Sequence, residues 1–367
     1  MSTIALPPAA SVSAQIPPND PPFALSHAPK QHRVGVAVLN SQNDLLVGQT
    51  SVAQEWHCPQ GVVDDPHPSV QLVRQAACRI LKQETGLVEG QHVMAVDQTV
   101  PPTAEDNPTN QQRTLDTVVP PPPPPPYWVI FRLVDARANS DPQCIVESLP
   151  PTNERKSAKF TKLAWCSIEK LLQDNNRQPY VTLQTFLETH VVPLWQTQIE
   201  MLDWTGKWKR VSDTALVQAL VERGWTAPDA QQEVAKPYVQ SWQRGESPAN
   251  WIVTTYCTDG VTPRRELEYS VGDWPEYYEG ETVLFGRQVV SDGKILRRQT
   301  QYVAMPDARP LPLAHVTLTQ SPLGLEESRR YQNGNDRFIL RRTLWKRGEE
   351  TKPVVSEEVF VRVSEDM

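Results

Sequence analysis

The chain has 367 residues, 39% of them hydrophobic and 22% charged. That is too long for one ordinary core, yet apolar enough to fold as two domains. Lys and Arg (36) against Asp and Glu (43) give a formal charge of -7, which argues against a broad footprint on duplex nucleic acid. No apolar run approaches the ~20 residues of a membrane-spanning helix. The first 29 residues contain no Lys or Arg, which speaks against a signal or transit peptide. Five scattered cysteines imply reduced thiols and a cytoplasmic location.

The 35 prolines are about twice the usual ~5% share, and about half of them fall in residues 1–29 and 101–126. Residues 1–31 form a Pro/Ala/Ser tail without periodicity, expected to be disordered. Arg33–Leu39 predicts a buried strand, followed by a turn at Asn40–Asp44 and a second strand at Leu45–Gln49. Residues 68–86 predict a helix. Ser69 caps it, apolar residues recur at Leu72, Val73, Ala76, Ala77, Ile80 and Leu81, and Gly86 stops it.

Residues 97–126 form an insertion that ends in the run Pro120–Pro126. Such a run adopts polyproline II, a stiff spacer that also suits a polyproline-binding partner. A strand at Tyr127–Val134 follows. After a loop come the segment Leu163-Ala-Trp-Cys-Ser, a helix at Ile168–Gln173 and a longer helix at about 181–202.

Beyond Trp204 the pattern changes. Two helical stretches, at about 213–223 and 228–236, precede strands predicted at 251–257, 266–271, 281–290, 295–303, 316–319, 337–345 and 354–363. Turn signals separate them at Thr258-Asp-Gly260, Ser291-Asp-Gly293, Asn333-Gly-Asn335 and Lys346-Arg-Gly348. Short strands joined by hairpins argue for a closed antiparallel barrel, which leaves no open edge. Its interior can enclose one small ligand. The segment 304–320 exceeds a hairpin loop and is expected to remodel the entrance.

Residues 33–200 resemble the Nudix hydrolase family, on Val34-Gly-Val-Ala-Val-Leu39, Trp56-His-Cys-Pro-Gln-Gly61, Glu84-Thr-Gly-Leu87 and Trp165-Cys-Ser-Ile-Glu-Lys-Leu171. The resemblance implies an α/β sandwich, a mixed sheet with flanking helices. It also implies Mg²⁺ or Mn²⁺ and a diphosphate-containing substrate. The family box is G-x5-E-x7-R-E-U-x-E-E-x-G-U, with U a bulky aliphatic residue. Its carboxylates at i, i+3 and i+4 share one helix face and hold the metal against the diphosphate. Here Arg79, Leu81, Glu84, Gly86 and Leu87 match. The first carboxylate position holds Ile80, the next Gln83, and four extra residues separate Gly61 from Arg79. Glu84 and Arg79 are the catalytic candidates, with Glu84, Asp64 and Asp65 as the metal ligands. Ile80 cannot bind a cation, so hydrolysis is expected to be weak or lost. The alternative is a Mg²⁺-dependent hydrolase of a nucleoside- or lipid-linked diphosphate. His57 and Cys58 lack zinc-ligand spacing and are expected at a strand end.

Residues 204–364 resemble the fatty-acid-binding protein family within the calycin group, on Gly206-Lys-Trp-Lys-Arg-Val-Ser212, the two-helix stretch ending Ala235-Lys-Pro237, and the hairpins that follow. Arg264–Trp274 is similar to the family's middle strand and the gap after it. The resemblance implies ten antiparallel strands, a helix-turn-helix lid and a hydrophobic ligand. Leu216 and Leu220, with Val217 and Val221, are expected on the lid's inner face. The family's last strand carries Arg-x-Tyr as a carboxylate clamp, and the matching positions here are Glu358 and Phe360. Arg329 or Arg330, and Arg341 or Arg342, are the candidates for an inward guanidinium, because neighbours on a strand face opposite sides. The cyclase and bilin-lyase barrels of the same group, and an interaction scaffold built on the proline run, stand as alternatives.

Overall fold

The computed structural model describes residues 32–50, 56–65, 67–100, 126–139, 141–143, 160–174, 178–247, 249–284, 287–321, 323–349 and 351–363, with 277–296 as backbone only. The expected tail (1–31) and Pro120–Pro125 of the proline run lie outside these residues.

The first half is built on a mixed sheet. Its strands are β1 (His32–Leu39), β2 (Leu45–Thr50), β3 (Trp56–His57), β4 (Gln60–Val63), β5 (Val93–Val100), β6 (Tyr127–Leu133) and β7 (Phe160–Cys166). The main order is β3-β2-β1-β6-β5, with β4 paired to β1 and β7 to β2. β1 and β6 run parallel and the other pairs antiparallel. The expected insertion at 97–126 therefore starts later, because residues 97–100 continue β5.

β1 is buried on both faces, as its unbroken apolar run requires. On one face packs α1 (Val70–Thr85), burying Val73, Ala76, Ala77, Ile80 and Leu81. Its ends are as expected. Ser69 Oγ accepts from Leu72 N–H, and Gly86 closes the helix at φ 79°, where any side chain would be strained. The opposite face receives α2 (Ile168–Asp174) and α3 (Gln178–Phe186), through Ile168, Leu171, Tyr180 and Leu183. α3 continues through a π turn, Leu187–Val191, into α4 (Val192–Met201).

The second half is a ten-stranded antiparallel sheet curled into a nearly closed barrel. Its strands are β8 (Gly206–Thr214), β9 (Val239–Arg244), β10 (Asn250–Tyr256), β11 (Pro263–Ser270), β12 (Gly272–Leu284), β13 (Arg287–Ala304), β14 (Leu313–Ser321), β15 (Gly324–Gln332), β16 (Arg337–Lys346) and β17 (Val354–Arg362). Pairing β17 to β8 joins the last and first strands of the barrel, and the seam falls between β11 and β12, the two ends of the pairing order. Two short helices, α5 (Leu216–Glu222) and α6 (Ala227–Ala235), lie between β8 and β9. Pro228 sits in the first turn of α6, where its missing N–H costs nothing.

Two hairpin expectations change. Ser291-Asp-Gly293 is not a turn, because β13 runs through it. The extra length is taken up by a register shift opposite Tyr278 and Glu279, and β12 pairs with β13 out to Leu284 and Arg287. An Asp-Gly pair in a long ribbon is equally at home in a bulge. The segment 304–320 is mostly strand. β14 begins at Leu313, and the connection before it packs Met305 and Ala308 against the outer face of the barrel. β8, β9 and β15 were not expected, because their polar residues hide the alternation, and the strand expected at 281–290 is divided between β12 and β13.

Among the described residues the halves touch at two places. Arg132 of β6 lies 4.6 Å from the centre of the Trp195 ring on α4, and Trp195, Leu202 and Trp204 join the aromatic cluster at one end of the barrel. Elsewhere Val134–Arg137 rests on the barrel's outer face. Arg329 Nη2 donates to Val134 O at 2.9 Å and Gln301 Nε2 to Ala136 O at 2.7 Å.

Candidate functional site

Two places in the chain hold side chains arranged for chemistry. The first is a small cleft of about 290 Å³ between β4 and α1, lined by Gln60, Gly61, Val62, Arg79, Ile80, Gln83 and Glu84. Arg79 and Gln83 lie four residues apart on one helix, and Ile80, Gln83 and Glu84 hold the i, i+3, i+4 spacing, so all four meet here. Glu84 is 8% exposed, and its Oε2 accepts the Gln60 N–H at 3.2 Å. Arg79 Nη2 donates to Val62 O, and Arg33 Nη2 donates to Gln60 Oε1 at 2.7 Å.

Ile80 fills the space a second carboxylate would need. A Cβ on Gly61 would meet Ile80 Cδ1 at 2.7 Å, so β4 and α1 are in van der Waals contact there. Asp64 is exposed, and Asp65 accepts from the His67 N–H in its own loop. Neither lines the cleft. Among the described residues no three His, Cys, Asp or Glu side chains gather as metal ligands. Among the described residues Glu84 is thus the one carboxylate lining the cleft, whereas a Mg²⁺–diphosphate centre draws on one or two carboxylates together with the substrate's own phosphate oxygens.

The second place is the barrel interior. Alternate residues of each strand point inward, and at the end closed by α4 these are aromatic. Trp204, Trp208, Trp242, Trp251, Phe338 and Phe360 are each about 1% exposed or less. The Phe338 and Phe360 rings stack 4.6 Å apart, and Trp208 Nε1–H donates to Trp204 O. Here lies the expected ligand residue Phe360.

Above this floor the interior becomes charged. Glu358 of β17 accepts from Arg210 of β8 and Arg342 of β16. Glu276 of β12 pairs with Arg265 of β11 and Arg298 of β13, and so spans the seam. Glu326 of β15 receives Arg223, the residue ending α5, through two bonds at 2.8 and 3.2 Å. Burial opposes charge on Arg342, yet the Glu358 carboxylate holds its pKa above the ordinary value.

Three carboxylates thus hold five guanidinium groups, and Arg330 is left over. It stands in one cross-strand row with His315, Leu340 and Glu358. Its Nε and Nη1 are buried with no hydrogen-bond partner, and its guanidinium lies 5.2 Å from the centre of the Trp242 ring. Burial lowers its pKa, and the nearby Arg342 and Arg298 add to this. His315 beside it is fully buried, 3.2 Å from Tyr269 Oη. Desolvation, then Arg330 and Arg244, drive its pKa well below the ordinary value, so it is neutral.

The other expected ligand residues lie elsewhere. Arg329 points out of the barrel, bound to Glu327 and Val134 O, because it neighbours the inward Arg330. Arg341 likewise faces out and is exposed. Leu216 and Leu220 are buried on α5 with Ala219, while Val221 is 38% exposed. Arg210, Arg223, Arg265 and Arg298, with Glu276 and Glu326, were missed. Their only signal is alternation, as in Arg298-x-Thr300-x-Tyr302 and Arg330-x-Gln332, which reads as an ordinary solvated face.

The family model for the NUDIX domain matches residues 29–186. No curated protein matches the sequence. Similar solved structures cover the barrel. The fatty-acid-binding protein of Manduca sexta is 12% identical, covers 43% of this chain and 99% of its own, with a TM-score of 0.29. The zebrafish ileal bile acid-binding protein complexed with cholic acid is 11% identical over 43% of this chain and 98% of its own, TM-score 0.29. The fluorescent protein UnaG is 11% identical over 44% and 97%, TM-score 0.32.

Proposed function

From the premise that residues 29–186 match the NUDIX domain, we propose a two-domain cytoplasmic protein. Its Nudix domain (32–200) has weak or no hydrolytic activity, and its barrel domain (204–364) carries a small hydrophobic molecule with an anionic group. The observation that carries this reading is Arg330, a half-buried residue whose Nε and Nη1 are buried without a hydrogen-bond partner and which makes no ion pair among the described residues. A lone buried charge costs several kcal/mol. An anionic ligand offsets that cost, and its apolar body lies on the aromatic floor of Trp208, Trp242 and Phe360. Glu358 occupies the place of a carboxylate clamp and is itself held by Arg210 and Arg342, so the ligand's anion goes to Arg330.

The experiment is displacement of a fluorescent fatty acid from the full chain by fatty acids, isoprenyl diphosphates and tetrapyrroles. Micromolar displacement by at least one class is expected. Dissociation constants above millimolar for every class would sink the reading.

The rival is a Mg²⁺-dependent hydrolase of a nucleoside- or lipid-linked diphosphate, favoured by the survival of Glu84 in its cleft. It requires Mg²⁺- or Mn²⁺-dependent phosphate release that Glu84→Gln abolishes.

A further inference from the structure

Beside the contact between the two halves runs an open cleft of about 840 Å³ on the outer face of the barrel. Its floor follows from the register. Pro275, Arg297, Gln320, Leu325 and Trp345 are direct cross-strand neighbours on β12 to β16, and all five line the cleft. Leu318 comes from the next row, where it pairs with Gln299. One row further on, Gln301 and Arg329 are already bound to the Val134–Ala136 backbone. Among the described residues the N-terminal half therefore covers the sheet up to the cleft and stops there. Its last contribution is Arg137, whose guanidinium lies 4.6 Å from the centre of the Trp345 ring and is held by Asp135.

The charges around this floor are unbalanced. Arg297 and Arg347 are exposed and make no ion pair among the described residues, against the single acidic lining residue Asp273. A concave apolar floor with a few convergent charged groups is the usual form of a small-molecule site, and guanidinium groups match planar oxyanions.

The geometry points to a second binding site, on the outer face of the barrel and reaching the interior residues Trp274 and Arg298 at its edge, for a small organic anion with a flat apolar body. The apolar part lies on Leu318, Leu325 and Trp345, and the anionic group meets Arg297 and Arg347. Arg137 brings the N-terminal half into contact with the ligand, so occupancy ties the two halves together.

The probe for this site is 8-anilinonaphthalene-1-sulfonate, with N-phenyl-1-naphthylamine as the same ring system without the anion. Titrations use the full chain carrying Arg330→Met, which removes the anion site of the interior. The expected result is saturable binding of the sulfonate, at least tenfold tighter than of the uncharged amine. The added pair Arg297→Glu and Arg347→Glu weakens it at least tenfold, with the melting temperature unchanged. Sulfonate affinity within twofold of its starting value in the charge-reversed protein, or equal affinity for both probes, overturns the proposal. So does the absence of binding in the Arg330→Met chain. None of these outcomes bears on whether Arg330 holds a ligand in the unmodified interior.

Discussion

Arg330→Met separates a ligand-binding arginine from a structural one by the sign of its effect on stability. In the empty barrel the guanidinium is partly buried, with Nε and Nη1 buried and unpartnered. The effective cost of such a charge is several kcal/mol. Its evident compensation is the Trp242 ring at 5.2 Å, worth at most about 2 kcal/mol. Methionine keeps most of the apolar stem and drops the charge, so the substitution is expected to stabilise the empty protein by about 1–4 kcal/mol. For a domain of this size each kcal/mol raises the melting temperature by roughly 2–4 °C. Affinity moves the other way. Losing one charge-assisted hydrogen-bonding group costs about 1.5–3 kcal/mol, or roughly 10- to 150-fold in dissociation constant. Urea unfolding and fluorescent fatty acid displacement on the same preparations measure both. A variant that is less stable and binds as tightly as before would refute the reasoning.

Other outcomes follow from the same geometry. Phosphate release from dinucleoside polyphosphates with Mg²⁺ is expected to be no faster than in the Glu84→Gln variant; turnover that this variant abolishes would make the cleft an active site. His315 has a depressed folded pKa, whereas the unfolded chain takes up a proton near ~6.5. Its contribution is therefore complete above pH ~6.5 and falls at lower pH, by up to about 1.4 kcal/mol per pH unit. His92, depressed mainly by burial, acts in the same direction. Urea midpoints from pH 7 to 5 should fall less steeply in His315→Gln, and an unchanged slope would show that His315 is not buried neutral. Arg329→Met leaves Val134 O and the Glu327 carboxylate without their donor. It should cost about 1–3 kcal/mol and separate the unfolding of the two halves in calorimetry, whereas an unaltered single transition would mean that this contact does not couple them.

Much of this architecture is legible in the amino-acid order because local chemistry dictates it. Ser69 and Gly86 bound α1 with a side-chain cap and a left-handed residue, both encoded within a few positions. The run Val34–Leu39 has no polar face, so it must lie in the middle of a covered sheet. The loss of the Nudix carboxylates at Ile80 and Gln83 is equally plain, since helical spacing alone brings those positions to Glu84. The barrel interior is different. Whether Arg329 or Arg330 points inward depends on strand register, which long-range pairing fixes and a one-residue slip reverses. The pairing of Arg265 with Glu276 joins strands that are not hydrogen-bonded to each other. Asp64 and Asp65 seemed available because they are near the box in sequence, but the four extra residues carry them away from the cleft.

The central claim, an anion-binding apolar interior, is tested most directly by one titration of the full chain with a fatty acid and its fatty alcohol of equal length. The account predicts that the acid binds at least tenfold more tightly than the alcohol, and that Arg330→Met removes the difference while leaving alcohol binding in place. Equal affinity for acid and alcohol in the unmodified protein, or no binding of either, would contradict it.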